Sequence, residues 1–190
     1  PPVLWLLVLV WVWLSAMTVE FGAPAWLKAR PIIYLVSHMA IMPLLDLLLT
    51  SVEWLPGGGA PDGLWLFLAL SFVNGCVIEI GRKLWAPENE IEGVDSYSRL
   101  WGTKPAAIVW MACVVLSFVL LVAVGVATSV GWITVPLALI ALAGCAHSAR
   151  SYVASPTQEA QDRMDTVAGL WVFFCYATAG FLPYIFETFT

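Results

Sequence analysis

The chain alternates long apolar stretches with short polar breaks. Six apolar segments stand out, at about residues 3–19, 31–51, 64–80, 106–128, 132–148 and 166–186. Each approaches the roughly 20 helical residues needed to cross a bilayer. None alternates polar and apolar side chains as a barrel strand does, so helices are expected. The breaks EFGAPAWLKARP, EWLPGGGAPDG, TSVGW and RSYVASPTQEAQDR contain the Pro, Gly and small polar residues that end helices. The remaining break, third along the chain and after residue 80, is longer and strongly charged. This pattern predicts an all-α, polytopic transmembrane helical bundle of about six spans, forming one transmembrane domain over residues 1–190.

Composition agrees with the pattern. The 190 residues are 61% hydrophobic and 11% charged, whereas an average globular chain is about 25% charged. A net charge of −5 and the lack of any Lys/Arg run exclude a nucleic-acid partner and leave membrane lipids as the surroundings. The four cysteines, Cys76, Cys113, Cys145 and Cys175, fall inside apolar segments at spacings that match no zinc or CxxC pattern. They read as small buried hydrophobes.

The basic residues set an expected orientation. Lys28 and Arg30 lie in the first break, Arg82, Lys83, Arg99 and Lys104 in the third, and Arg150 and Arg163 in the fifth. With six spans all of them share one side, which the positive-inside rule makes cytoplasmic, as in a bacterial inner membrane. The chain opens Pro-Pro without a methionine or a basic n-region, so an N-terminal segment is expected to be missing.

The charged break, EIGRKLWAPENEIEGVDSYSRLWG, is the main chemical candidate. Glu79 has Arg82 and Lys83 at i+3 and i+4, so the three can share a helix face. Glu88, Glu90 and Glu92 follow, then Gly93, Asp95, Ser96, Tyr97 and Ser98. Carboxylates bind Mg²⁺ and Lys or Arg binds phosphate oxygens, so this mixture could hold a metal and an anionic headgroup together. Equally, it could be a solvated loop with a salt bridge at a helix end.

Residues 71–102, SFVNGCVIEIGRKLWAPENEIEGVDSYSRLWG, resemble the second acidic region of the UbiA superfamily of membrane prenyltransferases. MTVEFGAPAWLKARP and SHMAIMPLLDLL resemble the middle of a UbiA-like subgroup. The likeness implies nine helices around a central cavity, of which the present six would be the fourth to ninth. It also implies a prenyl diphosphate bound through Mg²⁺ at two Asp-rich motifs, and transfer of the prenyl group to a lipid-soluble acceptor. Under it, Glu79, Glu88, Glu92 and Asp95 would bind metal, with Glu79 and Asp95 catalytic. Arg82 and Lys83 would grip phosphate, and Asn74, Tyr97, His38 and Asp46 would contact substrate. Two departures stand out: the first Asp-rich motif is absent from these residues, and Glu79-x-x-x-Lys83 replaces Asp-x-x-x-Asp. Lysine cannot coordinate Mg²⁺ but can neutralise a diphosphate.

Other readings follow from the same residues. A non-catalytic UbiA-like subunit of a larger membrane complex would explain both departures. Asp46 and His38, ionisable groups within an apolar segment, would also suit a small transporter or channel. His147 and Arg150 read as cations closing the fifth helix, and Asp165 as a cap before Thr166. Trp26, Trp54, Trp85, Trp101 and Trp132, at segment ends, read as an interfacial aromatic belt.

Overall fold

A computed structural model describes residues 2–189, with side chains up to Thr188. Among these residues every regular element is helical: α1 Pro2–Thr18, α2 Pro24–Lys28, α3 Pro31–Met39, α4 Ile41–Trp54, α5 Leu64–Arg82, α6 Tyr97–Trp101, α7 Thr103–Ala127, α8 Gly131–Ala154 and α9 Gln158–Phe189. Two single 3-10 turns, Glu20–Gly22 and Pro87–Asn89, join them.

Five stretches are long and apolar enough to cross a membrane: Pro31–Trp54, Leu64–Arg82, Thr103–Ala127, Gly131–Ala154 and Gln158–Thr188. This fits a multi-pass integral membrane protein. The expected first span, α1, is apolar but shorter than these five, with 17 residues among those described. Ile108, Val119, Ile140 and Phe173 are exposed on the long helices. Such surfaces would aggregate in water and are solvated by lipid tails in a bilayer.

The helix edges depart from the apolar segments in two places. Residues 31–51 are broken at Ala40 into α3 and α4. The cause is Pro43, which offers no N–H to the carbonyl of Met39 and whose ring crowds that carbonyl. At the other end, α8 continues to Ala154 and α9 starts at Gln158, eight residues before the apolar segment. Here helix periodicity outlasts hydrophobicity: Ala160, Met164 and Ala168, four residues apart, are all buried. Consequently His147 and Arg150 lie within α8 and do not close it, and Asp165 lies inside α9 and caps nothing.

The chain divides into two compact units, residues up to Gly75 and residues from Cys76 onward. In the first, α1 packs along α4, and the Trp13 indole N–H donates to the carbonyl of Ser37 (3.1 Å). Gly75 lets α5 approach closely, since a Cβ there would sit 2.9 Å from Met42 Cγ.

In the second unit α7 pairs with α8, and α9 packs on both. Gly125 permits the close α7–α8 turn, because a Cβ there would lie 2.6 Å from Thr134 Oγ1. Two tryptophans fill the core. The Trp110 indole donates to the carbonyl of Val77 (3.0 Å), and the Trp171 indole donates to Ser117 Oγ (2.9 Å). Gly81 makes the first bond feasible, as any side chain there would strike Ala168 and the Trp110 indole. Burying an indole with its N–H satisfied adds apolar area without the cost of an orphaned donor.

Candidate functional site

The charged break belongs to the second unit and folds as a closed loop. It leaves α5 at Arg82, and its two ends meet where the Tyr97 N–H donates to the carbonyl of Lys83 (3.0 Å). Leu84 and Ala86 point inward and are fully buried, as is most of Tyr97. Gly93, at φ 82°, supplies a left-handed turn that few other residues adopt without strain.

Glu90 is the hub. Its carboxylate accepts from the hydroxyl of Ser96 (2.6 and 2.7 Å to its two oxygens) and from that of Ser98 (2.7 Å). The serines then face outward as acceptors: Ser98 Oγ takes the N–H of Trp85 (2.8 Å), and Ser96 Oγ caps α6 by taking the N–H of Arg99 (3.0 Å). Hydrogen bonds to a charged acceptor are the stronger kind, and both hydroxyls are buried.

Further bonds tie this loop to α8 and α9. Tyr152 OH donates to the carbonyl of Trp85 (2.7 Å). Gln161 Oε1 accepts from the Ala86 N–H (2.8 Å) and from Asn89 Nδ2 (3.0 Å). Glu88 Oε1 accepts the N–H of Gln158 (3.2 Å), placing a carboxylate at the positive end of α9. Thr157 Oγ1 takes the N–H of Ala160 (3.4 Å) nearby. The cap of α9 is therefore built from Thr157 and Glu88.

Of the residues singled out from sequence, Glu79, Lys83 and Tyr97 do come together. Lys83 Nζ lies 2.7 Å from Glu79 Oε1 and 6.0 Å from the centre of the Tyr97 ring. The Glu79 side chain is 19% exposed and that of Lys83 is 36% exposed, so the pair straddles the surface at the end of α5. Arg82 is beside it and solvent-exposed. Glu92 and Asp95 point to solvent.

The expected metal set is thus dispersed. Glu79 answers Lys83, Glu88 answers a backbone amide, and no three His, Cys, Asp or Glu side chains gather to hold a metal among the described residues. Mg²⁺ prefers a near-octahedral set of oxygens, and these residues as folded do not fit it. Glu90, one of the loop acids that could have supplied a metal ligand, has the richest hydrogen bonding of these carboxylates and spends it on two serines. Its signal in the sequence is the pair of serines six and eight residues later, across a glycine.

Asn74, Asp46 and His38 fall in the first unit. Asn74 is buried in α5, and Asp46 is half-buried in α4. His38 sits in an aromatic nest: its ring stacks on Tyr34 (centroids 4.0 Å apart), meets Phe21 edge-on at 5.9 Å, and its Nδ1 lies 2.9 Å from the carbonyl of Tyr34.

No protein-family model, curated protein or solved structure matches this chain.

Proposed function

We propose that this is a UbiA-like membrane prenyltransferase that grips a prenyl diphosphate at the end of α5 and moves the prenyl group to a lipid-soluble acceptor. The observation that carries the reading is the half-buried Glu79–Lys83 pair, with Arg82 exposed beside it, inside the stretch that resembles the family's second acidic region. In water such a pair contributes little. At a membrane edge it holds a cation ready to exchange its carboxylate for a phosphate oxygen.

The reaction needs heterolysis of the allylic C–O bond, with the diphosphate leaving with the electron pair. Lys83 and Arg82 take up that developing negative charge. The acceptor then forms the new bond to the prenyl carbon and loses a proton to the Glu79 carboxylate, which Lys83 releases when it turns to the diphosphate. Apolar helices shield the carbocation from water.

Incorporation of labelled farnesyl diphosphate into lipid-extractable product, by membranes carrying the protein, tests this. Lys83→Ala is expected to lower the rate about 100-fold, as loss of one charge-stabilising group does, and Glu79→Gln about tenfold. Equal rates in wild type and both variants would remove the role given to this pair.

A second reading rests on a different observation. Glu88 and Glu90 are consumed by hydrogen bonds within the protein, which suits a non-catalytic UbiA-like subunit whose charged loop only holds its helices together. Migration of the protein in a larger complex after gentle solubilisation, with no prenyl transfer by wild type, would favour it.

A further inference from the structure

The second unit carries an apolar trough along the α7–α8 pair, about 520 Å³ in volume. Its walls include Ile108 and Met111 from α7 and Ala146 and Val153 from α8, and its rim carries Lys104 and Arg150. A neighbouring hollow of about 690 Å³ shares Arg150 and Ala146 and adds His147 and Ser151. Lys104 and Arg150 are exposed, and among the described residues neither pairs with a carboxylate.

Such an arrangement has a definite chemical complement. Lys104 lies in the first turn of α7 and Arg150 in the last turns of α8, so both cations sit at one end of two membrane-length helices. From Lys104 to Met111 the trough runs roughly 10 Å down α7. Alanines along α8, small side chains, leave room on its floor for an alkyl chain. Cations at the headgroup level attract anionic lipid, each contributing modestly, and the apolar walls below have no aqueous ligand to prefer.

We infer that this trough binds one anionic phospholipid, with its headgroup phosphate between Lys104 and Arg150 and the upper part of an acyl chain against Ile108, Met111 and Val153. The trough shares no residue with the end of α5, and its assignment stands whether or not the chain moves prenyl groups.

Native mass spectrometry of the purified protein, released from neutral detergent and titrated with phosphatidylglycerol, phosphatidylcholine or farnesyl diphosphate, tests it. Wild type is expected to retain one phosphatidylglycerol about tenfold more tightly than phosphatidylcholine. The double variant Lys104→Gln/Arg150→Gln should bind the two lipids alike, while Ala146→Phe, which fills the trough and leaves both cations, should weaken both. Should the double variant lose helicity, Lys104→Gln alone replaces it, with an expected loss of about threefold in preference. Wild type showing no preference, or the charge variant keeping it, overturns the inference. Displacement of phosphatidylglycerol by equimolar farnesyl diphosphate also overturns it, and reassigns the trough to a prenyl ligand.

Discussion

Two charged connections, residues 19–30 and residues 83–102, join apolar helices in ways that are physically opposite. The later one is a hydrogen-bonded clasp: a carboxylate at its centre, two buried serines around it, and three partners on α8 and α9. The earlier one is held by geometry that the backbone resists. Glu20 and Phe21 both adopt positive φ, at 48° and 52°, ahead of Gly22 at 72°. One ion pair, Lys28–Glu20 at 3.3 Å, with Lys28 58% exposed, spans it. A segment rich in satisfied polar groups loses stability when it is altered. A strained segment gains stability when the strain is removed.

Mutations can test this contrast by sign as well as size. The largest effect is expected for Glu90→Ala, which leaves two buried serine hydroxyls without their acceptor and should cost about 3 kcal/mol. Thermal unfolding in detergent would show it, together with faster tryptic cleavage at Arg99. Tyr152→Phe removes a single bond, to the carbonyl of Trp85, and should cost about 1 kcal/mol in the same assay. Gly93→Ala meets no neighbouring atom, so only the left-handed backbone opposes it, and a loss of about 1 kcal/mol is expected. The smallest effect has the opposite sign: Glu20→Gly should stabilise by about 0.5 kcal/mol, because relief at φ 48° and of a buried, unanswered Glu20 oxygen outweighs a partly exposed ion pair. A destabilised Glu20→Gly protein, or an unaffected Glu90→Ala protein, would erase the distinction between the two connections.

Hydrophobicity alone located the long helices, because lipid-facing residues must be apolar all the way along. It misplaced the start of α9, whose first two turns are polar on most faces and announce themselves only through Ala160, Met164 and Ala168. α1, expected among the six near-spanning segments, is an apolar helix of 17 residues, shorter than the other five. The break at Ala40 was legible in Pro43, but only by asking which carbonyl that proline leaves unanswered.

At the charged break the sequence showed that Glu79 and Lys83 could meet, since i and i+4 are neighbours on any helix. Beyond α5 that rule fails. Glu88, Glu90, Glu92 and Asp95 are alike in composition and close in number, yet a non-helical loop turns each a different way: one to the amide of Gln158, one to two serines, two to solvent. Which carboxylate turns inward depends on the turn at Gly93 and on Gln161 and Tyr152, far along the chain. Trp110 and Trp171 were equally hard to place, because a tryptophan in an apolar run reads the same whether it faces lipid or fills a core.

The clasp also imposes an order on biogenesis. Its closing partners, Tyr152, Gln158 and Gln161, are translated some 50 to 60 residues after Ser98. At typical synthesis speeds that is a wait of roughly 3 to 12 s. Throughout that interval Trp85 and Ala86 keep backbone groups that only water can answer, so the connection locks only when the final hairpin arrives.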